Sequence, residues 1–349
     1  MTNGQPRLHR LIGYASVAAM MPYLAIKIAW LAGSDIGLDR PGIMRGGAYL
    51  TANAVTAAME LAGAVLALAL VHRWGRRLPV WVLLFPFWVA SGLLAPVMVA
   101  APAAGLVEAL TGSATGGGGD RFAGLRPWVY AVVYTGFVLQ GTGLALAFTL
   151  HVRRRWGGYL SRPVRAVRSG ATDSVRVLAT VAAAVLAAPA MAMHLYWAFG
   201  GTAGQPATMR AGREAIQQVT EASWVLFGLL GVLGSMSLAA RRPGTARVWV
   251  PLAAAWVGAG AMFWWGAYQL IVLLAPGSPF EGGPAVGGYA LVLTVQAMAG
   301  LLLAVTVVFG LVESYPDPGD AVTGRRTTGP TRWPAMDVPA EVGTSNRSD

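Results

Sequence analysis

Eight long apolar segments, separated by short polar stretches, dominate the chain. A bilayer core about 30 Å thick requires about 20 apolar helical residues, so each segment can cross a membrane as one α-helix. The pattern predicts an all-α fold, a polytopic transmembrane helix bundle. The predicted spans are residues 11–32, 48–71, 79–100, 128–150, 175–199, 219–240, 248–275 and 286–312.

Composition supports this interpretation. Of 349 residues, 55% are hydrophobic and 12% are charged, which is more apolar than a soluble chain of this length requires. The net charge of +11 could indicate a nucleic-acid partner, but the basic residues are spread over short polar stretches and not gathered on one domain. We therefore expect a lipid bilayer as the partner, and no nucleic acid.

The residue inventory excludes much of enzyme chemistry. The chain has no cysteine and only four histidines, which removes disulfides, thiolate metal sites and thiol nucleophiles. It contains no nucleotide-binding glycine loop, zinc-protease motif or serine nucleophile elbow. We predict no catalytic residue, metal site or cofactor, and favour a non-enzymatic function. His72 and His151, each followed by arginines, leave haem ligation as an alternative to interfacial histidines.

Arginine placement predicts how the chain is threaded. Nineteen arginines lie in the tails, in the even-numbered loops or close beside them, and six lie in the odd-numbered loops. Since positive charge resists translocation, the richer side should be cytoplasmic and both termini should lie inside. Only one basic residue, Lys27, is a lysine, an arginine bias typical of a GC-rich bacterial genome. The expected location is the bacterial cytoplasmic (inner) membrane.

An internal duplication divides the predicted spans into two halves. Residues of spans one and three recur in spans five and seven at shifts of 167 and 168, as in Lys27 with His194 and Gly92 with Gly260. Spans four and eight align weakly through Gln140 and Gln296. Two tandem four-helix repeats in parallel orientation would be related by a pseudo-twofold axis along the membrane normal. Coincidence among abundant Trp, Gly and Ala is the alternative.

The predicted domain organisation follows from these patterns. It comprises a cytoplasmic N-tail (1–10), transmembrane repeat one (11–150), a basic cytoplasmic linker (151–174), transmembrane repeat two (175–312) and a cytoplasmic tail (313–349). The tail is rich in Pro, Gly, Thr and Asp, so we expect it to be disordered. The glycine run at 116–119 should make the loop between spans three and four flexible.

Several polar residues lie inside the apolar segments. A charge in hydrocarbon costs a few kcal/mol, so it normally faces a partner or water. Lys27 and Glu60 lie on consecutive spans, where an ion pair between them is sterically reasonable. We predict an intramembrane polar site in the outer half of the bilayer. Its candidate residues are Lys27, Asn53, Glu60, Gln140, His194 and Glu221.

Two functions fit this pattern. The duplicated halves and the intramembrane polar residues favour a small-solute permease or transport component. The alternative is a non-catalytic membrane sensor, scaffold or assembly partner, in which Lys27 and Glu60 only fix helix pairing. An aromatic group in span seven, Trp264, Trp265 and Tyr268, could line a ligand pocket or form an interfacial belt. The sequence indicates neither the solute nor the oligomeric state.

Overall fold

The computed structural model describes residues 5–111, 124–167, 170–211, 215–241, 246–274 and 285–314. Among these residues, eight helices are long and apolar enough to cross a membrane, as the sequence predicts. The protein is therefore a multi-pass integral membrane protein. The eight long helices are α1 (Gln5–Leu31), α2 (Gly47–Val71), α3 (Val80–Thr111), α4 (Pro127–Leu160), α5 (Asp173–Ala198), α7 (Ala215–Ala239), α8 (Trp249–Leu274) and α9 (Ala285–Ser314).

Short helices occupy parts of the connections. A five-residue helix, α6 (Ala207–Ala211), lies between α5 and α7, and 3-10 turns occur at Ile43–Arg45, Trp74–Arg77 and Val164–Ala166. Two long helices extend beyond their predicted ends: α3 continues past Ala100 and α4 continues past Leu150 into the basic linker. Both helices thus continue into sequence that is more polar than the predicted spans. The glycine run and the tail from residue 315 lie outside the described residues.

Apolar side chains cover the outside of the bundle. Phe199, Leu110 and Leu274 are among the large hydrophobic residues that are mostly exposed. In water such a surface would be unstable, whereas in a bilayer it faces acyl chains. The interior instead contains many small residues, including fully buried Ala183 and Ala259. Small side chains let helix backbones approach closely, which is how packing stabilises bundles in lipid.

Because consecutive spans cross the bundle in opposite directions, their connections lie alternately at its two ends. The terminal end carries the start of α1 and the end of α9, and the loop end carries the connections α1–α2, α3–α4, α5–α7 and α8–α9. At the loop end, Leu38 forms an isolated β-bridge with Leu125. At the terminal end, Pro163 forms another with Arg247.

The first four long helices and the last four, called here the first half and the second half, pack in similar pairs. In the first half α1 contacts α2 and α4; in the second half α5 contacts α7 and α9. The third helices differ, because α8 packs tightly between α7 and α9, whereas α3 packs more against α7 and α8 than against α2 or α4. Helix α3 therefore provides much of the contact between the halves.

The same loop conformation follows α1 and α5. The Trp30 indole donates to the carbonyl oxygen of Ile36, and Trp197 donates to that of Ala203, both at 2.8 Å. Both rings are buried. Glycines with positive φ follow at matching offsets, namely Gly33 (85°), Gly37 (70°), Gly200 (105°) and Gly204 (77°). Trp30 and Trp197 thus hold their loops to the bundle, whereas Trp81 and Trp249 are largely exposed.

Corresponding positions of α3 and α8 meet where the halves contact each other. A Cβ added to Gly92 would lie 2.6 Å from the carbonyl carbon of Gly260, so the two backbones touch. Beside them, the Trp88 indole donates to the carbonyl oxygen of Trp256 at 3.2 Å. The Trp256 indole in turn donates to Ser91 Oγ at 3.1 Å.

Candidate functional site

Lys27 lies near the end of α1, with its ammonium covered by α2. Its Nζ donates to Asn53 Oδ1 at 3.3 Å and to Thr56 Oγ1 at 2.5 Å. It also lies 4.4 Å from the centre of the Tyr23 ring, one turn earlier on α1. Asn53 and Thr56 share a face of α2 because they are three residues apart. Only 3% of Lys27 is exposed, so this charge is solvated by protein groups.

Glu60 lies one turn further along α2, on the same face as Thr56. Its Oε1 accepts a hydrogen bond from Gln140 Nε2 of α4 at 3.2 Å. Its Oε2 is buried and has no hydrogen-bond partner among the described residues. The ion pair between Lys27 and Glu60 that spacing allowed does not form directly within the described part of the chain, since each side chain bonds to neutral groups instead.

A second cluster centres on His194 of α5. Its Nδ1 lies 2.6 Å from Glu221 Oε2 of α7, and its Nε2 lies 2.7 Å from Gln296 Oε1 of α9. Gln296 Nε2 donates to the carbonyl oxygen of Met262 at 3.3 Å, which fixes the orientation of the amide. The His194, Glu221 and Gln296 side chains are at least 95% buried. The cluster joins four helices of the second half.

The contacts of His194 satisfy both of its ring nitrogens. Nε2 can donate to the Gln296 amide oxygen, and the short contact between Nδ1 and Glu221 Oε2 is a hydrogen bond with the proton on either group. Each buried polar atom of the imidazole therefore has a partner, the condition under which buried polar and charged groups are tolerated.

The two clusters contain residues at corresponding positions. Lys27 bonds Asn53, and His194 bonds Glu221. His194 lies 167 positions after Lys27, and Glu221 lies 168 positions after Asn53. Gln140 and Gln296, related by a shift of 156, each bond a charged residue of their own half. Among the described residues, no hydrogen bond or ion pair joins one cluster to the other. The six predicted residues therefore fall into two groups.

Sequence reasoning left Gln296 out of the candidate site. The alignment of Gln140 with Gln296 was the available signal. An uncharged glutamine in an apolar span attracts less attention than a charge, although its amide can bridge two helices.

The aromatic group of span seven fills helix contacts. The Trp265 indole donates to the carbonyl oxygen of Leu93 at 3.0 Å, and its ring lies 5.3 Å from that of Trp224. The ring of Trp264 lies 5.4 Å from that of Trp88. These side chains pack α8 against α3 and α7.

Comparisons with known proteins assign no function to this chain. No family model, curated protein or solved structure matches this chain. Among the described residues, no group of three or more His, Asp or Glu side chains could hold a metal ion. His72, the predicted alternative haem ligand, contacts Tyr14 Oη through Nε2 and the Leu68 carbonyl oxygen through Nδ1, both at 3.1 Å. The two intramembrane clusters are therefore the strongest functional candidates.

Proposed function

We propose that the protein is a small-solute permease whose solute path passes Lys27 and Glu60. The observation that carries this proposal is Glu60 Oε2, a carboxylate oxygen buried inside the membrane without a partner among the described residues. Burying an unpaired polar atom costs about 1–3 kcal/mol, and more if it is charged. A bound solute that donates a hydrogen bond would remove that cost.

The contrast between the clusters supports this assignment. In the second cluster, His194 and Glu221 contact each other directly. In the first, Lys27 of α1 and Glu60 of α2 bond separately to neutral groups. Charged groups in hydrocarbon normally face a partner or water, and a polar molecule that bonded both Lys27 and Glu60 would supply that partner. We assign the second cluster to helix packing and the first to solute binding.

We further propose that the two halves are tandem repeats related by a pseudo-twofold axis between α3 and α8. The matching Trp30 and Trp197 hydrogen bonds and the matching clusters support this relationship. So does the contact of Gly92 with Gly260, since equivalent positions touch only near such an axis. The axis would make the seam between the halves a natural path across the membrane.

The proposed orientation places the terminal end in the cytoplasm of a bacterial cell, because that end is richer in arginine. A green fluorescent protein fused after Ser314 should therefore fluoresce, since it folds in the cytoplasm. Alkaline phosphatase inserted between residues 112 and 123, in the connection from α3 to α4, should be active, since it requires export. The reverse pair of signals would overturn the orientation.

Uptake by proteoliposomes tests the transport proposal. Radiolabelled alanine, glucose, choline and succinate represent zwitterionic, neutral, cationic and anionic solutes. At least one should enter liposomes containing the protein faster than protein-free liposomes. Glu60→Gln should slow that uptake about tenfold or more, because a charge-assisted hydrogen bond contributes about 1.5–3 kcal/mol.

The control for that experiment is Asp39→Asn. It makes the same chemical change at a loop carboxylate that is 56% exposed and lies 3.6 Å from Arg126. Uptake should remain at the wild-type rate in this variant. Uptake of none of the four solutes, or full uptake by Glu60→Gln, would contradict the permease proposal.

A sensor, scaffold or assembly partner is the second candidate. The closed second cluster favours it, because His194 has both ring nitrogens engaged and is only 2% exposed. Such a cluster stabilises a solid bundle without binding a solute. This function predicts that removing residues 315–349 abolishes the cellular activity while Glu60→Gln preserves it.

A further inference from the structure

A cavity at the terminal end lies between α5, α7 and α9, on the opposite side of the membrane from Lys27. Arg176, Thr180, Ser235, Thr306 and Gly310 contribute to its lining. A shallower, open depression adjoins it and is lined by Asp173, Ser174, Val177, Ala239, Ala240 and Arg241. The proposed permease function uses none of these residues.

Three residues that line this cavity and depression carry hydrogen-bond donors without a partner among the described residues. Arg176 Nε, Ser235 Oγ and Arg241 Nε are buried and have no partner among the described residues. Arg176 is 7% exposed and Ser235 is 2% exposed, so neither group is satisfied by bulk water. An arginine nitrogen can only donate, and a serine hydroxyl can donate as well. The missing partner is therefore an acceptor.

The nearby carboxylates are already engaged. Asp173 Oδ1 accepts from Arg176 Nη1 at 3.1 Å and from Arg241 Nη2 at 2.6 Å. Asp173 Oδ2 accepts from the Gly170 amide at 3.0 Å, and Glu313 accepts from the amide and hydroxyl of Thr172. Two guanidinium groups thus share one aspartate, and each keeps its Nε free.

The backbone also shapes the site. The Arg176 guanidinium lies directly on Gly310 of α9, where an added Cβ would be 2.6 Å from Cζ and Nη2. The glycine therefore lets a buried guanidinium lie between the helices. Tyr159, Val307 and Leu311 complete the wall with mainly apolar surface.

We infer that the cavity and the adjoining depression together bind a phosphate group. One phosphate oxygen enters the cavity and accepts from Arg176 and Ser235, and the rest of the group occupies the open depression beside Arg241. Arginine clusters are suited to phosphate because the guanidinium presents several donors in a plane. The site lies at the start of α5, at one end of a candidate membrane span, so the phosphate can belong to an anionic lipid or be free in solution.

Binding to the purified full-length protein tests the inference. The protein in phosphatidylcholine nanodiscs is compared with the protein in nanodiscs containing 30% phosphatidylglycerol, and inorganic phosphate is titrated separately. Thermal unfolding is followed by tryptophan fluorescence, and retained lipid is counted by native mass spectrometry. A gain in melting temperature with phosphatidylglycerol identifies a lipid headgroup, and a gain with inorganic phosphate alone identifies a soluble ligand.

The variants Arg176→Gln and Ser235→Ala should each weaken binding of the effective ligand about tenfold, since each removes one donor to a charged oxygen. Ser235→Ala removes no charge and keeps the Asp173 contacts, so it remains informative if Arg176→Gln fails to fold. Arg73→Gln is the matched control, because Arg73 is exposed at the same end and lies outside the cavity. The inference is overturned if neither ligand stabilises the protein, or if both cavity variants bind as well as the control.

Discussion

Replacing His194 with leucine should lower the free energy of unfolding by about 3–5 kcal/mol, the usual result of removing one partner of a buried pair of ionisable groups. Glu221 is only 4% exposed, and the substitution removes the imidazole that lies 2.6 Å from its carboxyl oxygen. It also leaves Gln296 Oε1 without its donor. Unfolding of the detergent-purified protein by SDS, followed by tryptophan fluorescence, measures the loss.

The double variant His194→Leu, Glu221→Leu distinguishes destabilisation by an unpaired Glu221 from destabilisation by lost packing. With both ionisable groups removed, most of the stability should return, because apolar residues of similar volume often replace a buried ion pair at little cost. His72→Leu is the control; its ring is half-buried at the terminal end and should change stability by less than about 1 kcal/mol. A double variant as unstable as His194→Leu would show that lost packing, and not the unpaired Glu221 carboxyl group, causes the loss of stability.

Gly92→Ala should destabilise the contact between the two halves by about 1–3 kcal/mol. The new methyl group would lie 2.6–2.7 Å from the carbonyl carbon and oxygen of Gly260, and backbone atoms cannot move aside as a side chain can. Helices α3 and α8 would have to separate, which also disturbs the hydrogen bond between Trp88 and Trp256. The same SDS titration reports the change.

Gly105→Ala is the matched control for that substitution. It lies on the same helix, α3, and an added Cβ there would meet nothing within 4 Å. Alanine at an open helical position should be neutral or slightly stabilising, by up to about 1 kcal/mol. Equal effects of the two substitutions would show that helix propensity, and not the close approach of α3 to α8, governs stability at Gly92.

The candidate clusters were partly predictable from the sequence. Lys27 and Glu60 were identified because charges are rare and expensive in apolar spans. The repeat offset also aligned His194 with Lys27. The partner of each group was less predictable. Lys27 bonds Asn53 and Thr56, and does not bond Glu60 directly, because rotation of α1 about its axis decides which atoms of α2 it meets.

The cavity near Arg176 shows a different limit. In the sequence, Arg176 lies at the predicted start of span five, just after a run of basic residues, and indicates only which side of the membrane is cytoplasmic. In the structure it is buried against Gly310, a residue more than a hundred positions away. Nothing local to either residue indicates this contact, since it depends on how α5 and α9 pack.

The sequence by itself determined that the chain crosses a membrane and which segments do so, because the thickness of the bilayer dictates the length of every apolar run. It also determined which polar residues lie inside the apolar spans. Only the tertiary structure decided that these residues form two clusters, that Gln296 completes one of them and that a carboxylate oxygen stays unpartnered in the other. Those outcomes depend on helix rotation and close approach, which arise from packing between residues far apart in the chain.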